Sequence, residues 1–283
     1  MTEHWLAAEI TKSVTHDEIG LAYGHFDGHL LRSAYQPAYR LQSGRLKIIG
    51  ARGLVRPTRG GRPLQPVRLF ERLGDGDRHF LECLCRAVHV GNLPHLDLDT
   101  GSVALTVSAD GPERLALSLA LLRTAVDELQ QEGFDAPQVW CEVTACRAED
   151  AAATSAAVRA HGFRVAIGGF GPDATGVAMA ETMAPDYVRL DGAWFRTVVR
   201  APGAVSLLAN LSEMLRRKGI EVLADGIETP AQFEAALDIG ADFFQGYLFA
   251  PPFPAGAEFS PRPLRLPELL RRSAKIIPLR RPA

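Results

Sequence analysis

The segment RVAIGGFGPDATG, residues 164–176, begins as a short apolar strand, Arg164 to Ile167, and stops at two glycines, Gly168 and Gly169. A strand end running into a glycine-rich turn is where an α/β enzyme usually places its chemistry, yet no side chain in this turn can carry any. The same strand-then-helix pattern recurs on either side. VALTVS (103–108) precedes a helix expected near 112–132, and QVWCEVT (138–144) one near 148–160. After the glycines come a shorter helix near 175–183, YVRLD (187–191), and one long helix ending near residue 218. IEVLAD (220–225), a helix near 230–239 and DFFQG (242–246) complete the series. Nearly continuous apolar strands at βα spacing predict a parallel sheet covered by helices, and this many units in one domain favour a closed barrel.

The front of the chain breaks the pattern. AYQPAYRL (34–41) and LKIIGARGLVR (46–56) are separated only by a turn around Gln42–Gly44, which predicts a hairpin. The fold expected is therefore α/β, a modified (β/α)8 TIM-like barrel with one antiparallel strand. Residues 1–29 are expected to be a helical lead-in, 30–257 the barrel, and 258–283 a basic, proline-rich tail. That tail, from Ser260 on, has five prolines and seven Lys or Arg against one Glu, and predicts a mostly unpacked segment.

The chain has 283 residues, a formal charge of −2 and four cysteines. The near-neutral balance supplies no broad basic field, so no duplex nucleic acid is expected as a partner. Cys83, Cys85, Cys141 and Cys146 form no C-x-x-C pair and read as reduced thiols. No apolar run approaches the roughly 20 residues needed to span a bilayer, so no membrane partner and a cytoplasmic location are expected.

The strand ends, taken in order, offer Arg52 and Arg56, Thr106, Glu142, Gly168 with Gly169, Arg189 with Asp191, Asp225 with Glu228, and Gln245. A two-metal hydrolase converges several carboxylates on ions about 3.5–4 Å apart. Here the second strand offers a cation, and the fifth offers nothing.

These motifs resemble the EAL domain family, the cyclic di-GMP phosphodiesterases. YQPAYRLQSGRLKIIGARGLVR (35–56) is similar to the family's opening, in which a YQP strand leads to a G-x-EAL-L-R strand. VWCEVTA, IGGFG, YVRLD, LADGIET and QGYLFAPPFP then follow in the order of the family's ExTE, DDFG, IKID, AEGVET and QGYxFxxP blocks, over about residues 30–255. The same resemblance implies that the chemistry has been lost. The signature Glu falls on Arg52, so EAL reads RGL, and the metal-binding Asn falls on Thr106. The two Asp of DDFG fall on Gly168 and Gly169, the water-orienting Lys on Arg189, the first Glu of AEGVET on Asp225, and the second Glu of ExTE on Ala145. Glu142, Asp191, Glu228 and Gln245 match the pattern. Arg52, Thr106, Glu142, Gly168, Gly169, Arg189 and Asp225 are thus vestigial metal-site positions, and neither a metal nor another cofactor is expected. Each hard divalent ion requires several oxygens at about 2.0–2.6 Å, and a guanidinium at Arg52 adds repulsion.

Candidates for contact with cyclic di-GMP are Gln36, Arg52, Leu54, Arg56, Asp191, Glu228 and Gln245. Arg52 and Arg56 together suit bidentate phosphate binding, while an internal Arg52–Glu142 ion pair is an equal reading. Glu228 or Thr229 is expected to cap the helix starting near Pro230. The glycine turn could cradle a phosphate through backbone N–H groups, against which Pro172 removes one donor. The function expected is a non-catalytic cyclic di-GMP receptor that reports to a regulatory protein partner; the alternative is a nucleotide-independent protein-binding scaffold, and a phosphodiesterase with unusual ligands ranks behind both. A homodimer is compatible with each.

Overall fold

The expected hairpin is the frame on which the barrel closes. In the computed structural model, which describes residues 3–96, 102–171, 175–201, 203–257 and 264–270, strands β3 (His29–Gln42) and β4 (Arg45–Arg59) pair antiparallel from His29↔Arg59 to Gln42↔Arg45. Their two-residue turn holds Ser43 at φ 50 and Gly44 at φ 74. Positive φ at both central positions matches the twist of the flanking strands, and glycine adopts it without penalty.

Upstream lie α1 (Glu3–Ser13), β1 (Val14–His16) and β2 (Ala22–Phe26). After the hairpin come β5 (Arg62–Pro63), α2 (Pro66–Phe70) and α3 (Asp75–Gly91). The βα series is β6 (Val103–Ser108), α4 (Pro112–Asp127), β7 (Val139–Thr144), α5 (Ala151–Ala160), β8 (Arg164–Phe170), α6 (Thr175–Met183) and β9 (Tyr187–Leu190). It continues through α7 (Gly192–Val198), α8 (Ala204–Arg217), β10 (Glu221–Ala224), α9 (Pro230–Asp238) and β11 (Phe243–Phe244). The chain then adds β12 (Phe253–Pro254), β13 (Leu264–Arg265) and α10 (Leu266–Leu270). The strand order β3-β11-β10-β9-β8-β7-β6-β4 is closed by the β3–β4 pairing into an eight-stranded barrel. Only β3 runs antiparallel to its barrel neighbours, as the hairpin predicts. No described helix is long and apolar enough to cross a membrane.

Three local expectations need correction. The lead-in is only partly helical, because β1 and β2 extend β3 as an antiparallel meander. The 14-residue β3 continues beyond the barrel, and pairing with β2 satisfies the backbone groups its free edge would otherwise expose. Asp27-Gly28 makes the turn, with φ 44 and 71, a hairpin signal present in the sequence as HFDGHL. The long helix after YVRLD is two helices, α7 and α8, with Gly203 left-handed at φ 77 just before the second. The tail is not wholly unpacked. Leu264 and Arg265 pair with Leu46 and Arg45 of β4, and Leu269 is 5% exposed in the main core. Residues 258–263 and 271–283, the rest of the expected tail, lie outside the described residues.

Two layers of core hold the barrel. Between strands and helices sits the main apolar cluster, with Phe233 edge-on to Phe244 at 5.1 Å. Inside the barrel, Ala38, Ala104, Trp140, Ala166, Tyr187, Leu223 and Phe243 fill one level. Trp140 packs edge-on to Tyr187 at 5.0 Å, a geometry favoured by the ring quadrupoles. This apolar plug is the floor of whatever site lies above it.

Candidate functional site

Side chains on a strand alternate between faces, so the residue two places beyond each floor residue also points inward, one level nearer the mouth. From Ala104, Trp140, Ala166, Tyr187, Leu223 and Phe243 this step reaches Thr106, Glu142, Gly168, Arg189, Asp225 and Gln245. On the antiparallel β3 the step runs backwards, from Ala38 to Gln36. Closure of the barrel sets Arg52 opposite Gln36.

Glu142 is the centre of this upper level and is 1% exposed. Arg189 Nε donates to both of its oxygens at 3.1 Å, and the Tyr187 hydroxyl donates to Oε1 at 2.9 Å. Arg52 Nε lies 3.0 Å from Oε2 as an ion pair, although its N–H is not aimed for a hydrogen bond. Arg189 Nη1 continues the chain to Asp225 Oδ2 at 3.0 Å, while Asp225 Oδ1 accepts the Gly226 N–H at 2.6 Å. Two carboxylates and two guanidiniums thus form a neutral internal network. Burial pushes the Glu142 carboxyl up, but Arg189 and then Arg52 outweigh it and hold the group below its ordinary 4.5. Burial and the neighbouring Glu142 raise the Tyr187 phenol well above 10, so it stays a donor.

The glycine at 168 makes room for this arrangement. A Cβ there would stand 3.1 Å from Arg189 Nη2 and 3.3 Å from Thr144 Cγ2. Gly169, at φ 69, faces open space. Of the two readings left open for Arg52, the internal ion pair with Glu142 is present, and the same side chain also lines the crevice at the mouth.

The remaining candidates divide between mouth and framework. Arg56 is exposed; it makes a long 3.5 Å contact to the Val55 carbonyl, and no carboxylate pairs with it among the described residues. With Arg52, Leu54 and Thr106 it lines a crevice of about 260 Å³. Gln36 is buried and donates to the Ala250 carbonyl at 3.4 Å. Gln245, 1% exposed, donates to the Gln36 carbonyl at 2.9 Å, and its Oε1 has no partner among the described residues. Asp191 caps α7 by accepting the Trp194 N–H at 2.8 Å. Glu228 is exposed and 3.5 Å from Arg196; its neighbour Thr229 is the N-cap of α9.

Donors for a divalent pair are therefore committed elsewhere: Glu142 to two arginines and a phenol, Asp225 to Arg189, Asp191 to a helix cap. Among the described residues, no three His, Cys, Asp or Glu side chains are grouped to hold an ion. The residues present do not fit the metal pair that the family resemblance implies.

Sequence reasoning missed three participants. Tyr187 was legible in principle, since it precedes Arg189 by two and shares its face. His89 was not: it sits 5% exposed behind Gly53, bonded through Nδ1 to the Ser33 hydroxyl at 2.7 Å. A Cβ on Gly53 would come within 3.1 Å of its ring, and burial, with Arg86, pushes its pKa down to about 3. Arg86 itself reaches from α3 to the Thr106 carbonyl at 3.1 Å.

Proteins similar to this chain in sequence and in fold are known. An uncharacterized protein of Mycobacterium tuberculosis is 26% identical over 238 residues, covering 80% of this chain and 37% of that protein. The cyclic di-GMP phosphodiesterase PdeF of Escherichia coli is 30% identical over 93 residues, 33% of this chain and 12% of PdeF. The chain spans little more than a third of the length of the first curated relatives it matches. Among solved structures, the standalone EAL protein of Vibrio cholerae O395 in its c-di-GMP bound form superposes with a TM-score of 0.66 at 23% identity, over 79% of this chain and 92% of that one. The Xanthomonas citri FimX EAL domain in complex with c-diGMP gives 0.67 at 17% identity, over 91% and 98%. With the EAL domain family model matching residues 25–252, the barrel, its inverted first strand and the ordered motifs at its mouth have one reading: the chain belongs to the EAL domain family.

Proposed function

We propose that this chain is a non-catalytic EAL domain of cyclic di-GMP signalling that acts as a receptor and binds the dinucleotide without metal. The observation that carries the reading is the closed network Arg52–Glu142–Arg189–Asp225, which occupies the level where the family resemblance implies ions. Positive charge that hydrolytic relatives would draw from solvent is here built into side chains. Arg56, exposed and without a carboxylate partner among the described residues, supplies a phosphate contact at the mouth. Arginine suits that role because its planar donors match two phosphate oxygens. The Vibrio cholerae and Xanthomonas citri structures, both in complex with cyclic di-GMP, support binding by this fold.

Calorimetric titration of cyclic di-GMP, with and without chelator, tests the reading at one fixed salt concentration. Binding is expected to be unchanged by chelation. Arg56→Ala is expected to weaken it roughly 10- to 100-fold, the equivalent of about 1.5–3 kcal/mol for a charged hydrogen bond. In parallel, no linear dinucleotide should accumulate above background in Mg²⁺ or Mn²⁺. Loss of binding on chelation, or metal-dependent turnover, overturns the proposal. Absence of binding at high ligand concentration favours the protein-binding scaffold instead, a reading supported by the engagement of Arg52 with Glu142.

A further inference from the structure

Behind the mouth crevice, α3 carries a buried cation with no carboxylate in ion-pair distance among the described residues. Arg86 is 4% exposed. Its Nη1 donates to the Thr106 carbonyl, and its Nη2 to Ser118 Oγ at 2.8 Å and to Cys83 Sγ at 3.1 Å. A charge so far from water is costly unless an opposite charge stands close. Of the three groups that Arg86 bonds, only the Cys83 thiol can ionise. The sulfur is also 3.6 Å from Ser118 Oγ and 3.8 Å from His79 Nε2.

Cys83 is not sealed in. It lines a cavity of about 310 Å³ bounded by α1, β1, α3 and α4, whose walls include Ile10, Val14, Val90, Leu121 and Ala125. The other titratable or charged groups near the sulfur are few. His79 and Glu82 share its helix, while His16 from β1 and Glu128 beyond the end of α4 line the cavity or its rim.

We propose that Cys83 is a modification site, a thiolate held by Arg86, Ser118 and His79 that takes small uncharged electrophiles entering through this largely apolar cavity. With a haloacetamide, the sulfur lone pair attacks the methylene carbon; the C–S bond forms, the C–I bond breaks, and iodide leaves with the electron pair. Burial opposes ionisation, but Arg86 and then His79 outweigh it and bring the thiol down to about 7. The other cysteines make an internal comparison. Burial pushes Cys85 and Cys141 up to about 12, and raises the half-buried Cys146 with no cation to offset it.

The test is iodoacetamide labelling of the full chain from pH 5.5 to 9.5, read by peptide mass spectrometry. Cys83 labelling is expected to reach half its plateau rate near pH 7. Cys146 should label only toward alkaline pH; Cys85, which lines the mouth crevice, should stay nearly unlabelled across this range because burial keeps its thiol protonated, and Cys141 should label only after denaturation. Arg86→Gln should move the Cys83 midpoint toward the ordinary thiol value of about 8.5, and Ala125→Leu should slow labelling several-fold without moving it. The wild-type profile decides the matter even where a variant fails to fold. A Cys83 midpoint at or above about 8.5, or labelling of Cys83 only in denaturant, overturns the proposal.

Discussion

Glu142 shows how a single carboxylate can remain ionised at 1% exposure once two arginines and a phenol surround it. Removing one partner of such a buried pair is worse than never having had it, because the other charge is left without compensation. Arg189→Ala is expected to lower unfolding free energy by about 3–5 kcal/mol, measured by urea denaturation. Arg189→Lys should retain part of the loss, since it keeps the charge but not the fork. The pH dependence has a definite sign. The folded carboxyl lies below its ordinary 4.5, so its contribution is full above the unfolded value and is lost as pH falls through the folded one. Glu142→Gln should flatten that acidic limb, and an unchanged limb would contradict the assignment. The glycines give a second prediction. Restoring Gly168→Asp and Gly169→Asp together should not confer Mn²⁺ binding by calorimetry, because a Cβ at 168 already stands 3.1 Å from Arg189 Nη2, so a carboxylate carried on it pairs with that guanidinium. Tight Mn²⁺ binding by the double variant would show that the arginines do not control the site.

At the scale of elements, the sequence was readable wherever local rules act. The apolar runs, the Gly and Pro punctuation and the turn at Ser43-Gly44 each report a backbone conformation through a few neighbours. The expected cap was also local. Thr229 Oγ1 accepts the Gln232 N–H at 3.3 Å, while Gln232 Oε1 accepts the N–H groups of Thr229 and Glu228 at 3.0 and 2.7 Å. Thr229→Ala should therefore cost about 1 kcal/mol, seen as a small fall in the denaturation midpoint with an unchanged slope. No change would mean that Gln232 alone satisfies the helix start. The reading missed the extension of β3 by β2: Asp27-Gly28 carries the local turn signal, but that the pairing covers the free end of β3 depends on which strand is left uncovered in the assembled sheet.

For the molecule as a whole, the tail is the sharpest departure from a compositional reading. Prolines and basic charge predict an unpacked segment, yet Leu269 is 5% exposed in the same core as the barrel helices. Its apolar contact outweighs the local signal. Leu269→Ala should cost about 2–4 kcal/mol and lower the melting temperature by several degrees, whereas a melt identical to wild type would show that α10 adds nothing to the core. By itself the sequence determined the alternation of strands and helices, the hairpin that inverts one strand, and the substitutions at the mouth. All of these follow from periodicity, turn chemistry and residue identity along short stretches. Only the tertiary structure decided that Arg189 turns onto Glu142, 47 positions away, that Arg52 joins it, and that Tyr187 completes the set. A long guanidinium side chain has many rotamers and several possible partners, and the choice among them is set by barrel closure and strand register, which no local stretch contains.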